Sequence, residues 1–246
     1  MNMKSFLVFL LPLSLAVAGF AQEPEAPQPS ASSQKYSLYR RQLTLPVHSV
    51  SKVLAMIKTI KRNEEENRPL APEKFNALTI RERFAYVMLH GEDFAQNCDA
   101  MPQIIDEDKK IFATFPSPFA NDLIWSDQQR GFLTTYRSKV TSLLKESIQA
   151  RKRVGLNFKQ AILELRATSL LPELTTIYKR DRRDHDILSL VMLLMVEGKY
   201  QPFLQTSLYK TLYGAESNYQ SHVALNKANS EKILNLGMAF YRDSKK

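Results

Sequence analysis

Along most of this chain apolar residues recur at helical spacing. Ile80, Phe84, Val87 and Met88 stand at positions i, i+4, i+7 and i+8, which is one face of a helix. Phe132, Leu133, Tyr136, Val140, Leu143, Leu144 and Ile148 form a longer stripe, and it predicts one continuous helix from about 126 to 150. Phe158, Ala161, Ile162 and Leu165 mark a further helix, and Ile233, Leu236, Gly237 and Phe240 a last one. Between them, 184–197 carries Ile187, Leu188 and the run 190–196 with almost no polar face. A helix apolar all round is surrounded by protein, so this one is expected at the centre of the C-terminal half. No segment alternates with period two for long enough to predict a strand. The fold class read from the pattern is all-α.

Punctuation between the stripes agrees. Thr79 with Glu82, Ser126 with Gln129 and Ser217 with Gln220 have capping-box spacing, and each predicts a helix start. Asn157 predicts another start, Asp184 an N-cap, and Asp186 a first-turn carboxylate. Pro172 and Pro202 sit at apparent first turns, where a missing N–H costs nothing. The chain has 7 glycines, too few for an all-β protein rich in tight turns. Gly91, Gly155, Gly198 and Gly214 follow apolar-periodic stretches, where a helix C′ residue is expected.

The N-terminal region reads differently. Residues 1–21 hold one cation, Lys4, then an uncharged apolar run over 6–18, then small residues at Ala16, Ala18, Gly19 and Ala21. This is the layout of a secretory signal peptide. The run is too short for a bilayer, which needs about 20 residues. Residues 22–35, rich in Pro, Ser and Gln, have no apolar period and read as a disordered linker. The rest, 36–246, reads as a single all-helical domain with possible subdomains at 36–125 and 126–246. The expected location is outside the cytoplasm, periplasmic or secreted. Cys98 is the sole cysteine, so no intrachain disulfide can staple the domain and packing must hold it. The later apolar run 187–196 suits a buried helix, and no membrane span is expected once the leader is removed.

In 157–214, Leu171-Pro172-Glu173-Leu174 leads into Ile177-Tyr178-Lys179, and Gln201-Pro202-Phe203-Leu204 leads into Leu208-Tyr209-Lys210. This order of helix, proline-headed helix, Asp-containing turn and very apolar helix resembles HEAT-type repeats. The resemblance implies stacked helical hairpins in the C-terminal half. The interval from Pro172 to Pro202 is shorter than the ~40–47 residues of such repeats. The chain as a whole resembles exported helical proteins of unknown activity, which implies no mechanism.

Charge and aromatic residues suggest binding. The whole chain carries a formal +9, and removal of Lys4 with the leader, which has no acidic residue, leaves one less. Such a surplus favours acidic partners. Arg151, Lys152 and Arg153 form one basic cluster, and Lys179, Arg180, Arg182 and Arg183 a second. Both follow helices, where cations also suit the macrodipole. Stacked hairpins could place the two on one edge as an anion-attracting rim. Tyr200, Phe203, Tyr209, Tyr213 and Tyr219 crowd one segment, and tyrosines offer broad contact area with a polar tip. Arg151, Lys152, Arg153, Lys179, Arg180, Arg182, Arg183, Tyr209 and Tyr213 are therefore the candidate partner-binding residues. No run of five like charges occurs, and nucleic acid is not the expected partner.

Catalytic constellations are incomplete. His90, Glu92 and Asp93 could bind a metal or share a proton, but no further His or Cys stands at finger-like spacing. Asp184-His185-Asp186 holds a doublet similar to that of HD-type metal phosphohydrolases, without their further histidine and aspartate at suitable spacing. Glu216-Ser217-Asn218-Tyr219 resembles the start of the lytic transglycosylase motif, which implies Glu216 as acid on peptidoglycan. The Gly-x-Met-Gln-like segment that follows in those enzymes is missing from 220–235. Cys98 and His90 lack a papain-type signature, and no phosphate-cradling glycine loop occurs. No catalytic residue, metal or cofactor is assigned. The expected function is a non-catalytic interaction or scaffold protein binding a protein or anionic envelope polymer, with a peptidoglycan enzyme as the alternative.

Overall fold

A computed structural model describes residues 28–60, 69–95, 104–119, 123–218 and 220–246. The expected leader, most of the expected linker, Cys98 and Tyr219 lie outside the described residues. In chain order the elements are α1 (Ala31–Arg40), α2 (Val50–Thr59), α3 (Pro72–Ala77), α4 (Ile80–Leu89), β1 (Asp93–Phe94), the 3-10 turn η1 (Glu107–Lys109), β2 (Lys110–Phe112), β3 (Leu123–Ile124) and α5 (Asp127–Thr135). There follow α6 (Arg137–Arg151), α7 (Leu156–Glu164), η2 (Thr168–Leu170), α8 (Leu171–Asp181), α9 (Asp186–Glu197), α10 (Gln201–Leu204), α11 (Ser207–Tyr213), β4 (His222–Ala224) and α12 (Lys227–Asp243). The protein is all-α in class, with two minimal antiparallel ribbons among the described residues. In one, β1 pairs with β3. In the other, β2 pairs with β4, with Lys110 opposite Ala224, Ile111 opposite Val223 and Phe112 opposite His222. Strands of two or three residues are too short to leave an alternating pattern in sequence, which is why none was expected.

The most apolar helix, α9, buries Ile187, Leu188, Leu190, Val191, Met192, Leu194 and Met195. It packs against α7, α8, α10, α12 and β2. In the N-terminal half α4 has the same role: Phe84, Ala85, Tyr86, Val87 and Met88 are all buried, with α2, α5, α6 and α7 around it. One continuous apolar cluster runs from Val53 to Phe240.

Two expected capping boxes form in full. Thr79 Oγ1 accepts from Glu82 N, and Glu82 returns a carboxylate oxygen to Thr79 N. Ser126 and Gln129 make the same exchange at the start of α5. Pro172 and Pro202 stand in the first turns of α8 and α10.

Other expectations need correction. The long stripe is two helices, broken at Tyr136 (φ −102°, ψ 26°). Just before the break, Thr134 Oγ1 donates back to the carbonyls of Arg130 and Gly131, a local bond that bends helices. Ser217 and Gln220 start no helix. Ser217 Oγ donates to Gly214 O instead, and the chain enters β4 before Asn226 caps α12. Asn157 is the second residue of α7 and not its cap, which is Gly155. Ala31 to Lys35, taken as the end of the linker, belong to α1: Ser30 Oγ accepts from Ser33 N as its cap, and Ser33 is buried.

Of the glycines expected after helices, Gly198 and Gly214 are the C-caps of α9 and α11, though not in the left-handed conformation of a C′ glycine. None of the described ones has positive φ. The left-handed positions fall on Ser49, Asp106, Lys152, Arg166, Arg182 and Lys199. Gly155 is needed for close approach, since a Cβ there would meet Thr44 N at 2.2 Å. Gly237 lets α12 press on α9, and a Cβ there would meet Val191 Cγ1 at 2.4 Å. Gly237→Ala should therefore overpack this contact and cost about 1–3 kcal/mol, read as a lowered urea midpoint with unchanged m value.

Candidate functional site

Asp184, expected as the N-cap, does not cap α9, while Asp186 stands in its first turn as expected; both enter the interior together with His185. All three are buried. The backbone position of the α9 cap is His185, and it makes no side-chain cap bond. Lys159, fully buried in α7, donates from Nζ to Asp184 Oδ1 at 2.6 Å and lies 3.8 Å from Asp186 Oδ2. Arg40, the last residue of α1, grips Asp186 through two parallel bonds, Nε to Oδ2 at 3.0 Å and Nη2 to Oδ1 at 2.6 Å. Its Nη1 donates to Glu107 Oε1 at 2.5 Å. The guanidinium also lies 4.7 Å from the centre of the Phe112 ring. Two cations and three carboxylates thus share one buried site.

Burial alone would weaken the charge on Arg40, but Asp186 above all, then Tyr36 and Glu107, more than offset it and hold the guanidinium more firmly protonated than usual. Burial pushes the Asp184 carboxyl up, against the pull of Lys159. Burial holds the His185 imidazole down to about 4. The Tyr36 ring stacks on it at 4.5 Å, and burial, reinforced by the charge on Asp186, raises the Tyr36 phenol well above its usual value.

This network stands directly behind the basic clusters. Tyr39, the neighbour of Arg40 on α1, has its ring centre 6.4 Å from that of Tyr36. Its ring is flanked by Arg153, with Cζ 4.3 Å from the centroid, and by Arg183 at 4.0 Å. Arg153 also donates from Nη2 to Tyr39 O. The two clusters, one after α6 and one after α8, therefore meet across one aromatic ring. Lys152 and Arg182 are exposed and occupy the left-handed caps of those helices. Lys179 is exposed, Arg180 pairs with Asp181 at 3.0 Å, and Arg151 donates to the carbonyls of Leu45 and Pro46.

The tyrosines form a separate unit. Tyr209 and Tyr213 stack at 5.8 Å and both meet Phe203 edge-on. Tyr213 Oη donates to Ala113 O at 2.7 Å, tying α11 to the end of β2. Tyr200 packs on Phe240 instead.

The remaining candidates are dispersed. Glu92 is buried, and its carboxylate accepts from Leu70 N, Tyr86 Oη and Ser126 Oγ at 2.8, 2.7 and 2.5 Å. Asp93 is exposed in β1, while His90 is buried beneath the end of α4. Among the described residues no three His, Cys, Asp or Glu side chains gather so as to hold a metal. Glu216 is exposed in the turn after α11. A groove of about 370 Å³ lies between the start of α6 and the turn into α8, lined by Arg137, Thr141, Arg166 and Ser169 among others. No described helix is long and apolar enough to cross a membrane.

Sequence reasoning missed Tyr39, Arg40, Glu107 and Lys159. One signal was present. An all-apolar helix headed by two aspartates requires cations in the interior, because a buried unpaired carboxylate is very costly. Nothing in the sequence said which cations these would be. Comparison with protein-family models, with curated proteins and with solved structures found no match to this chain.

Removing one partner of a buried pair strands the other charge. Lys159→Met should cost roughly 3–5 kcal/mol in chemical unfolding, and combining it with Asp184→Leu should recover part of that loss, because neither charge is then left alone.

Proposed function

We propose that this chain is an exported, non-catalytic binding protein of the cell envelope or extracellular space, holding an anionic partner on the edge where its two basic clusters meet. The observation that supports this reading is the Tyr39 ring between Arg153 and Arg183. Cation–π contact fixes each guanidinium plane without neutralising it, so the edge keeps a positive field while its donors are pre-oriented. Lys152 and Arg182, exposed beside them, extend that field. The net positive charge of the chain adds long-range attraction. On this reading the proline-headed helices α8 and α10 belong to stacked hairpins of HEAT-like character, and the basic edge is the row of turns at one end of the stack. The leader would deliver the protein to an envelope whose acidic polymers or proteins supply the ligand.

Lys152→Glu, Lys179→Glu and Arg182→Glu reverse three exposed charges without touching Tyr39. The parent protein should capture a partner from envelope extract at low salt and release it as salt rises past a few tenths molar, where screening lengths fall below ~8 Å. The triple variant should capture at least tenfold less. Equal capture by the two proteins, or capture indifferent to salt, would overturn the reading.

A further inference from the structure

We propose that α1 is a polar latch on the body, released by acid while the rest of the fold stays closed. The helix buries only Ser33, Tyr36 and Arg40. Leu38, its one aliphatic residue beyond Ala31, is 71% exposed. Ser33 Oγ accepts from Glu107 N, Tyr36 stacks on His185, and Arg40 bonds to Glu107 and Asp186. A helix so attached has little apolar area to hold it once its charges are mismatched. The strap behind it is held independently: Leu156 N donates to Gln42 O, and Thr44 is bonded through both its main chain and its hydroxyl to Asn157 and Gly155. The hinge is therefore Arg41, between a polar helix and a fixed strap.

His185 is the group that acid acts on. Its Nδ1 is buried without a hydrogen-bond partner, so a proton there would create a donor with no acceptor in the closed fold. The groups facing the ring are Tyr36 and Arg40 from α1, Asp108 from η1, the Lys110 main chain from β2, and Asp186 from its own turn; Glu107 is held by Arg40, and Asp184 by Lys159 of α7. Arg40 repels an imidazolium, while Asp186 attracts it. Burial outweighs both and holds the imidazole at about 4, against about 6.5 when free. A depressed value means that latching is complete above about 6.5 and weakens as pH falls towards 4. Asp184, whose value is raised, has the opposite sign, favouring closure in acid. Its bonded partner is Lys159, however, and neither of the two is on α1.

Hydrogen exchange of the full chain, corrected for intrinsic rates, tests this at about pH 7 and about pH 4.5. Amides of 35–41 should lose protection by up to roughly 60-fold in acid, the ratio set by the bound and free imidazole values. The amides of α9 should keep theirs. In His185→Gln the acid loss over 35–41 should vanish. The wild-type comparison decides the matter alone if that variant does not fold. Protection of α1 unchanged at pH 4.5, loss in α1 and α9 together, or an acid loss persisting in His185→Gln would each overturn the proposal.

Discussion

The head of α9 imposes the constraint on which the rest of the structure depends. The most apolar of the described helices begins at Asp186, two residues after Asp184, and it can be central only if both aspartates enter the interior with it. Each then requires a cation. Lys159 comes from α7 and Arg40 from α1, and Arg40 in turn brings Glu107 and so the start of β2. Four segments far apart in sequence are fixed to one point by charge matching. Buried pairs add little net stability compared with apolar packing. Their effect here is selective, because any other docking of α1 or α7 would leave a carboxylate dry and alone.

The same logic recurs where the backbone is irregular. Asn157 accepts from Thr44 N and donates to the carbonyls of Thr44 and Met88, joining the strap to the end of α4. Glu92 gathers three donors from Leu70, Tyr86 and Ser126, binding the approach to α3 and the start of α5 to the turn after α4. Non-helical main chain inside a protein must find partners. Buried side chains supply them where helices meet loops, while the apolar stripes hold the helices to one another.

What could be read from the sequence follows from range. Helix class, the apolar character of α9 and the capping boxes at Thr79 and Ser126 depend on neighbours within a few residues, and such signals survive in a linear reading. The ribbons do not, because β2 and β4 are three residues each and over a hundred apart. The break at Tyr136 was hidden because the apolar stripe continues across it. The basic clusters were visible as composition, but their meeting depends on Tyr39, whose position is set by Arg40 entering a pocket made by distant residues. Asp184 was misread as a cap, and the burial of Asp186 was hidden behind its first-turn position, because local logic explains an aspartate at a helix start as well as burial does.

The left-handed helix ends have a consequence of their own. Lys152, Arg166, Arg182 and Lys199 all adopt a conformation in which glycine is at ease and an L side chain is strained by about 1–2 kcal/mol. At Lys152 and Arg182 the strained residue is also a cation of the basic edge. Turn geometry and electric field thus compete for the same two positions. A chain selected for thermal endurance alone would drift to glycine there, becoming sturdier and, on that side, electrically blank.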